Sequence, residues 1–163
     1  QRMKAALDEA RETGRGGALM ILGIDNFKIV NEAYNRAFGD QVLREVANRI
    51  KKILSTDFCL YKLDGDEFGI VYPGADETLY RSIQTALLEP QQINEHKYFC
   101  TVSGGTVFFP QFGKDYLVLH KYAEAALTLA KQGGKNKNCI FSKELYNRWL
   151  RSLTAREDIR CSV

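Results

Sequence analysis

Residues 62–71 read KLDGDEFGIV and place three carboxylates, Asp64, Asp66 and Glu67, within four positions. Apolar runs lie on both sides of these acids, FCLY before them and FGIVY after them. Two such runs joined through an Asp-Gly pair are a strong signal of a β-hairpin. The sequence therefore predicts a hairpin that carries its acidic side chains at the turn.

The acidic turn has two interpretations. Carboxylates about 5 Å apart at an effective dielectric of about 20 repel each other by about 3 kcal/mol a pair, so water or a cation must relieve the repulsion. A solvated Asp-Gly turn satisfies this requirement through water. A Mg²⁺ or Mn²⁺ site satisfies it through a hard cation, and such sites commonly hold a substrate phosphate as well. The local pattern leaves both interpretations open.

Composition narrows the classes of function. The chain has 163 residues, of which 45% are hydrophobic and 26% charged, a composition typical of one globular domain. The formal charge of +3 is small and its basic residues are dispersed, which argues against nucleic acid as a partner. Apolar runs such as residues 18–24 are far shorter than a membrane span, and the N-terminus lacks the apolar core of a secretory signal. We expect a cytoplasmic fragment without membrane contact.

The hydrophobic periodicity predicts alternating helices and strands. The nearly continuous apolar run at residues 18–24 predicts a central strand that is covered on both faces. The remaining pattern predicts helices near residues 3–12, 27–34, 41–54, 76–88 and 115–131, and strands at residues 98–109 and 138–141. This order predicts an α/β (α+β) fold in which helices wrap a mixed central sheet with a split βαβ, ferredoxin-like core.

The two ends of the chain suggest neighbouring domains. A helical pattern begins at the first residues, so we expect a further domain upstream. Residues 142–163 begin with a helical pattern and end in a charged segment. We therefore divide the chain into a domain at residues 1–141 and a C-terminal helix and linker at residues 142–163.

Several blocks resemble the motifs of one family in order and spacing. They are DNFKIVNE at 25–32, FGDQVL at 38–43, DGDEF at 64–68, SGGT at 103–106, AEAAL at 123–127 and AKQGGKN at 130–136. Over roughly residues 2–141 the chain resembles the GGDEF domain family, the diguanylate cyclases of bacterial cyclic di-GMP signalling. The resemblance implies a fold similar to the polymerase palm, with the acidic hairpin facing the end of the first strand. It also implies that active members pair two domains, each holding one GTP with divalent cations, to make cyclic di-GMP and two pyrophosphates.

The same resemblance assigns roles to residues that would bind the nucleotide. Asn31 and Asp40 match the pair that recognises guanine; a carboxylate can accept from the base N1 and N2 donors, while an amide both donates and accepts. Lys131 and Lys135 match the two cationic positions that hold the terminal phosphates, with lysine in place of the more usual arginine at 135. The backbone N–H groups of residues 26–27 (Asn26 and Phe27) would bind phosphate where a helix begins.

The acidic hairpin matches the catalytic and metal-binding positions of the family. Asp66 matches the metal-ligating acid, and Glu67 matches the acid that binds metal or activates the 3′-hydroxyl. These two residues are the catalytic candidates, and Ile24 and Asp64 complete the candidate ligand set for Mg²⁺ or Mn²⁺.

Two departures from the family pattern bear on catalysis. Gly23 occupies the position at the end of the first strand where the family has a metal-ligating Asp, and two-metal phosphoryl chemistry needs anionic ligands to hold both ions. Asp64 occupies the position of the first Gly of the motif. Its carboxylate would either repel an incoming triphosphate or replace the carboxylate that is missing at Gly23.

These observations favour a degenerate cyclase domain that binds GTP through a weakened metal site, has little or no cyclase activity and regulates an adjacent domain. One alternative is an active diguanylate cyclase in which Asp64 compensates for Gly23. Another is a dimerisation or interaction module that binds no nucleotide. The resemblance implies a second GGDEF domain as a homodimer partner and a sensor at the N-terminal side. Residues 157–160 resemble the link that precedes an EAL phosphodiesterase domain.

Overall fold

The computed structural model describes residues 2–12, 14, 16–74, 76–113 and 115–154. Its helices are α1 (Arg2–Glu12), α2 (Phe27–Ala33), α3 (Arg36–Ile53), α4 (Leu79–Ala86), α5 (Tyr116–Gln132) and α6 (Lys143–Thr154). Its strands are β1 (Gly17–Ile24), β2 (Cys59–Lys62), β3 (Glu67–Pro73), β4 (Gln91–Ile93), β5 (His96–Tyr98), β6 (Val102–Phe109) and β7 (Asn138–Ile140). The order of helices and strands confirms the predicted α+β class.

Five of these strands form one mixed sheet in the order β2-β3-β1-β6-β7. Strand β1 is central and runs antiparallel to both β3 and β6, whereas β6 and β7 are parallel. All eight residues of β1 are buried, as the continuous apolar run predicts. Strands β1, β2, β3 and β6, with α3 and α4 as connections, make the expected ferredoxin-like core.

Helices cover both faces of the sheet. Successive side chains of a strand point to opposite faces, and β1 follows this rule. Met20 and Leu22 belong to a core cluster with residues of α2, α3 and α4. Leu19 and Ile21 belong to a second cluster with residues of α1 and α5. By the same alternation Gly23, at the end of β1, faces α5.

Helix α3 begins earlier than the pattern predicts. The sequence places its start after Asp40, but the helix starts at Arg36. The reason is an N-cap: Asn35 Oδ1 accepts a hydrogen bond of 2.8 Å from the N–H of Phe38, which satisfies one of the free donors of the first turn. Gly39 and Asp40 are consequently helical residues near the start of α3 rather than part of a loop.

The other corrections concern the segment between β3 and β6. Helix α4 is confined to Leu79–Ala86, because the Asp76 carboxylate accepts from the N–H of Thr78, 2.8 Å away, and holds the preceding residues in a turn. The long strand predicted at residues 98–109 is divided between β5 and β6. A separate β4–β5 hairpin precedes β6 and turns at Asn94, whose φ of 56° is left-handed.

The C-terminal tail begins with the predicted helix, α6. Leu145 and Tyr146 of α6 pack against the second core cluster. Residues 155–163, with the proposed link at 157–160, lie outside the described residues, and the division into domains at residue 141 remains a prediction. None of the helices in the described part of the chain combines the length and apolar character that crossing a bilayer requires.

Candidate functional site

The acidic hairpin lies against the end of β1. Glu67 is the register partner of Gly23 on one side and Ser103 of β6 is its partner on the other, so all three lie on the face that α5 covers. The N–H of Ile24 donates to the carbonyl oxygen of Asp66 at 3.3 Å. The expectation that the hairpin faces the end of the first strand is confirmed.

The tip of the hairpin is a loop between Lys62 and Phe68, the last paired residues of β2 and β3. Leu63 N–H donates to the carbonyl of Glu67 at 2.9 Å. Gly65 has a φ of 64°, the left-handed conformation that glycine adopts readily. Asp64 is exposed on this loop, so its carboxylate lies in solvent in this structure.

An ammonium group occupies the space beside Gly23. A Cβ atom at position 23 would lie 3.2 Å from Lys131 Nζ and 3.3 Å from Lys131 Cε. Lys131 reaches this point from the last turn of α5. The structure therefore places a cationic side chain where the family pattern has a metal-ligating carboxylate.

Glu67 contacts a second acid that the sequence analysis missed. Burial and a hydrogen bond to Glu124 raise the pKa of Glu67 from its ordinary 4.5 to about 7, with Lys131 opposing the rise. Two carboxyl groups that are hydrogen-bonded to each other must share a proton. Glu124 is seven residues before Lys131 on α5, two helical turns away. That spacing is the signal by which the sequence could have assigned it to the site.

We predict that this pair makes the stability of the protein pH-dependent. Because the pKa of Glu67 is higher in the folded state, folding binds a proton between about pH 4.5 and about pH 7. The contribution of this bound proton to the free energy of unfolding is complete below pH 4.5 and is lost as the pH rises through about 7. At pH 8 we expect the free energy of unfolding of Glu67→Gln to exceed that of the wild type by about 1 kcal/mol. This value is reduced for solvent screening.

Urea denaturation at pH 8 and pH 5 in EDTA measures this difference, which should nearly disappear at pH 5. Glu95→Gln is the matched control, since Glu95 is exposed in the β4–β5 turn. An advantage of Glu67→Gln that is equal at both pH values would contradict the shared proton.

Asp25 organises the loop that follows α5. Its side chain is 5% exposed and accepts hydrogen bonds of 2.6 Å from the hydroxyls of Thr101 and Ser103. It also accepts from the N–H of Asn136 at 3.0 Å. Asp25 lies directly before the N-cap residue of α2. The N-cap is Asn26, which makes no side-chain capping bond, and the Asp25 carboxylate instead ties β1, β6 and the loop after α5 together.

That loop directs the second predicted lysine to the same end of β1. Lys135 Nζ donates to Asn26 Oδ1 at 2.6 Å. Lys135 and Asn136 have φ values of 65° and 49°, left-handed conformations that are costly for residues other than glycine. The bond from Asn136 to Asp25 helps hold this conformation. Lys131 and Lys135 therefore both reach the end of β1, and their phosphate-binding role remains a prediction.

Asn31 lies on α2, and Asp40 lies near the start of α3. The Asn31 amide packs against Gly39: a Cβ at position 39 would collide with Asn31 Oδ1 and lie 3.1 Å from Phe27 Cζ. Asn31 Oδ1 is buried and finds no hydrogen-bond partner among the described residues. Asp40, the next residue of α3, is exposed. Gly39 thus allows the amide of α2 to lie directly beside the start of α3.

The predicted metal ligands do not fit a divalent ion well. No three or more His, Cys, Asp or Glu side chains in the described ranges are arranged to hold a metal. Glu67 bonds to Glu124, and Lys131 brings a positive charge to Gly23. Mg²⁺ needs oxygen ligands in octahedral geometry, and an adjacent ammonium opposes its charge. Metal binding by Ile24, Asp64, Asp66 and Glu67 therefore remains a prediction that this donor set does not favour.

A search of protein families identifies the chain. The model described as "Diguanylate cyclase, GGDEF domain" matches residues 1–137. The chain belongs to the GGDEF domain family. This result confirms the resemblance drawn from the sequence blocks and, with it, a domain type of cyclic di-GMP signalling.

Curated relatives of this GGDEF domain are longer proteins. Cyclic di-GMP phosphodiesterase PdeR of Escherichia coli is 34% identical over 134 residues, which cover 80% of this chain and 20% of PdeR. The bifunctional diguanylate cyclase/cyclic di-GMP phosphodiesterase MucR of Pseudomonas aeruginosa is 30% identical over 163 residues, covering 98% of this chain and 24% of MucR. The chain thus spans a quarter or less of the length of these relatives.

Solved GGDEF structures share the fold. The GGDEF domain of TpbB (YfiN) from Pseudomonas aeruginosa superposes with a TM-score of 0.82 at 23% identity, covering 90% of this chain and 88% of that one. An EAL/GGDEF domain protein from M. capsulatus gives a TM-score of 0.78 at 29% identity, covering 86% and 94%. The predicted mixed sheet wrapped by helices is the fold of this family.

Proposed function

We propose that this GGDEF domain binds GTP and regulates an adjacent domain of a cytoplasmic cyclic di-GMP signalling protein, with little or no cyclase activity of its own. The observation that carries the proposal is the position of two ammonium groups. Lys131 Nζ lies beside Gly23, and Lys135 Nζ binds Asn26 Oδ1. Two ammonium groups therefore reach the end of β1, where Gly23 supplies no carboxylate for the cyclase reaction.

The lysines supply the phosphate-binding half of the proposed site. An ammonium on a flexible stem binds phosphate as a point charge. Helix α2 begins beside Lys135, and its internal hydrogen bonds start with the N–H groups of Ile29 and Val30, which donate to Asn26. The N–H groups of Asn26 and Phe27 precede these bonds, and we propose that they bind phosphate oxygens.

Asn31 and Asp40 supply the base-binding half. A carboxylate accepts hydrogen bonds from two donors of guanine, N1–H and the 2-amino group, which adenine does not offer in this arrangement. Asp40 is exposed and free to meet a base. The unpaired Oδ1 of Asn31 supports a ligand role for the amide, because a buried acceptor without a donor is costly.

The same geometry supports the loss of cyclase activity. Gly23 provides no carboxylate, and Glu67 is hydrogen-bonded to Glu124. While Glu67 carries the proton, it cannot accept the proton of a 3′-hydroxyl, and it binds a cation less well than a carboxylate does. Diguanylate cyclases use GTP with Mg²⁺ or Mn²⁺, and two-metal chemistry depends on anionic ligands that hold the ions near about 4 Å apart.

The comparisons support the proposal of neighbouring domains. PdeR and MucR are named as phosphodiesterase and bifunctional enzyme, and they extend well beyond the region that this chain matches. We therefore propose an EAL phosphodiesterase domain on the C-terminal side, a sensor on the N-terminal side and a second GGDEF domain as dimer partner. Nucleotide binding would act on the neighbouring domain.

Isothermal titration calorimetry with GTP and, as comparison, ATP tests the proposal. We expect saturable binding of GTP and weaker binding of ATP. A failure to bind GTP in any buffer would favour the alternative of an interaction module.

A second experiment tests the catalytic part of the proposal. The domain is incubated with GTP and Mn²⁺, and cyclic di-GMP is measured by chromatography. We expect no product above background. Clear turnover would favour the alternative of an active cyclase, and loss of that turnover in Asp64→Ala would identify Asp64 as the compensating acid.

A further inference from the structure

The end of β1 holds the Lys131 ammonium and lacks the carboxylate that this family would place there as a cation ligand. Lys131 Nζ lies 3.2 Å from the Cβ position of residue 23, and Leu127 Cδ2 lies 3.8 Å from the same point. The side-chain space of the first strand is thus filled from α5. Residue 23 has no side chain of its own with which to displace the lysine.

The backbone from which Lys131 projects is firmly placed. Helix α5 packs directly on β6, where a Cβ at Gly105 would lie 2.9 Å from Leu127 Cα. Leu127 is one turn before Lys131, and its side chain is 1% exposed. The ammonium therefore starts from a fixed turn of α5 and remains within reach of Gly23.

Lys135 extends the positive charge along the same connection. Its Nζ lies 2.6 Å from Oδ1 of Asn26, and Asn26 is three residues beyond Gly23 in the chain. Residues three apart are separated by at most about 11 Å in an extended chain. The two ammonium groups therefore lie at the two ends of one four-residue stretch, so both can contact one polyphosphate.

A divalent cation at the same position would be repelled by Lys131 and would lack the carboxylate of the first strand. We propose that this domain binds its nucleoside triphosphate without a divalent cation, with the Lys131 ammonium beside Gly23 supplying the positive charge that a metal ion would otherwise bring. The proposal rests on the GTP binding proposed above and adds how the phosphates are neutralised.

Titration of GTP in EDTA and in Mg²⁺ tests the inference. We expect dissociation constants that agree within about fivefold, since the charge that binds the phosphates belongs to the protein. Binding that is tighter in Mg²⁺ by more than about fivefold overturns the inference but leaves GTP binding intact. Absence of binding in both buffers overturns the proposed function as well.

Variants of the two residues identify the source of the charge. Lys131→Met should weaken GTP binding in EDTA by about tenfold or more, because a charge-assisted contact to phosphate is lost. Lys121→Met, which removes an exposed lysine from the same helix, should leave the affinity within about twofold of the wild type. Equal effects of the two substitutions would contradict a specific role for Lys131.

Gly23→Asp should make GTP binding depend on a divalent cation. The new carboxylate would pair with Lys131 in EDTA and would ligate the ion in Mg²⁺, so we expect GTP binding about tenfold or more tighter in Mg²⁺ than in EDTA. Gly23→Ala adds a Cβ without charge and should keep the ratio near that of the wild type. If the Gly23→Asp domain binds GTP with the same affinity in Mg²⁺ and in EDTA, position 23 does not face the phosphates.

Discussion

Gly105→Ala is expected to destabilise the domain by about 3 kcal/mol or more, a large part of the stability of a typical domain. Gly105 lies on β6 opposite Ile21 of β1, and helix α5 crosses directly above it. A Cβ at this position would collide with the carbonyl oxygen of Ala123 and the amide nitrogen of Leu127. These are backbone atoms and cannot rotate away, so α5 itself must move.

Urea denaturation followed by circular dichroism measures the loss, and Gly23→Ala is the matched control. Its Cβ would also point toward α5 but would meet the flexible end of Lys131. We expect Gly23→Ala to change the unfolding free energy by less than about 1 kcal/mol. If the Gly105 variant unfolds within about 1 kcal/mol of the wild type, the close packing of α5 on β6 is wrong.

Much of the fold could be predicted because its strongest signals are local. The apolar run at residues 18–24 is short for a helix and favours a strand buried on both faces, and the structure has the central strand β1 there. A glycine inside a strand permits the close approach of another chain segment, and at Gly105 of the SGGT block that segment is the backbone of α5. In both cases the residue types themselves exclude most other environments.

The errors occur where one side chain overrides a pattern. The Asn35 cap moves the start of α3 to Arg36, although the hydrophobic period alone suggests a later start. Asn94 adopts a left-handed turn and creates the β4–β5 hairpin, whose residues 91–98, QQINEHKY, are mostly polar and carry no clear strand pattern. Such single-residue events have weak sequence signals, because asparagine is found in many other conformations.

The site was predictable in its residues but not in their pairing. Motif blocks indicated Glu67 and Lys131 separately, yet the contact between Glu67 and Glu124 depends on how far α5 lies from β3. The network of Asp25 is similar: its donors Thr101 and Asn136 are distant in the chain. Long-range hydrogen bonds of this kind follow from the assembled sheet and not from any local pattern.

Asp40→Ala is expected to weaken GTP binding by about 30-fold, because two charge-assisted hydrogen bonds to guanine at an exposed site contribute about 2 kcal/mol. ATP lacks the matching donors, so its affinity should change by less than about threefold. Calorimetric titration of both nucleotides gives the two ratios. Inosine triphosphate, which keeps N1–H but has no 2-amino group, should show an intermediate loss.

Asp57→Ala is the control for charge, since Asp57 is an exposed carboxylate just beyond the end of α3. It should leave the affinities for GTP and ATP unchanged. Equal losses of GTP and ATP binding in the Asp40 variant would mean that Asp40 contributes only to the general field or to the stability of α3. Guanine recognition would then have to come from Asn31 alone, and because Gly39 holds the Asn31 amide against α3, Gly39→Ala would be the variant to titrate next.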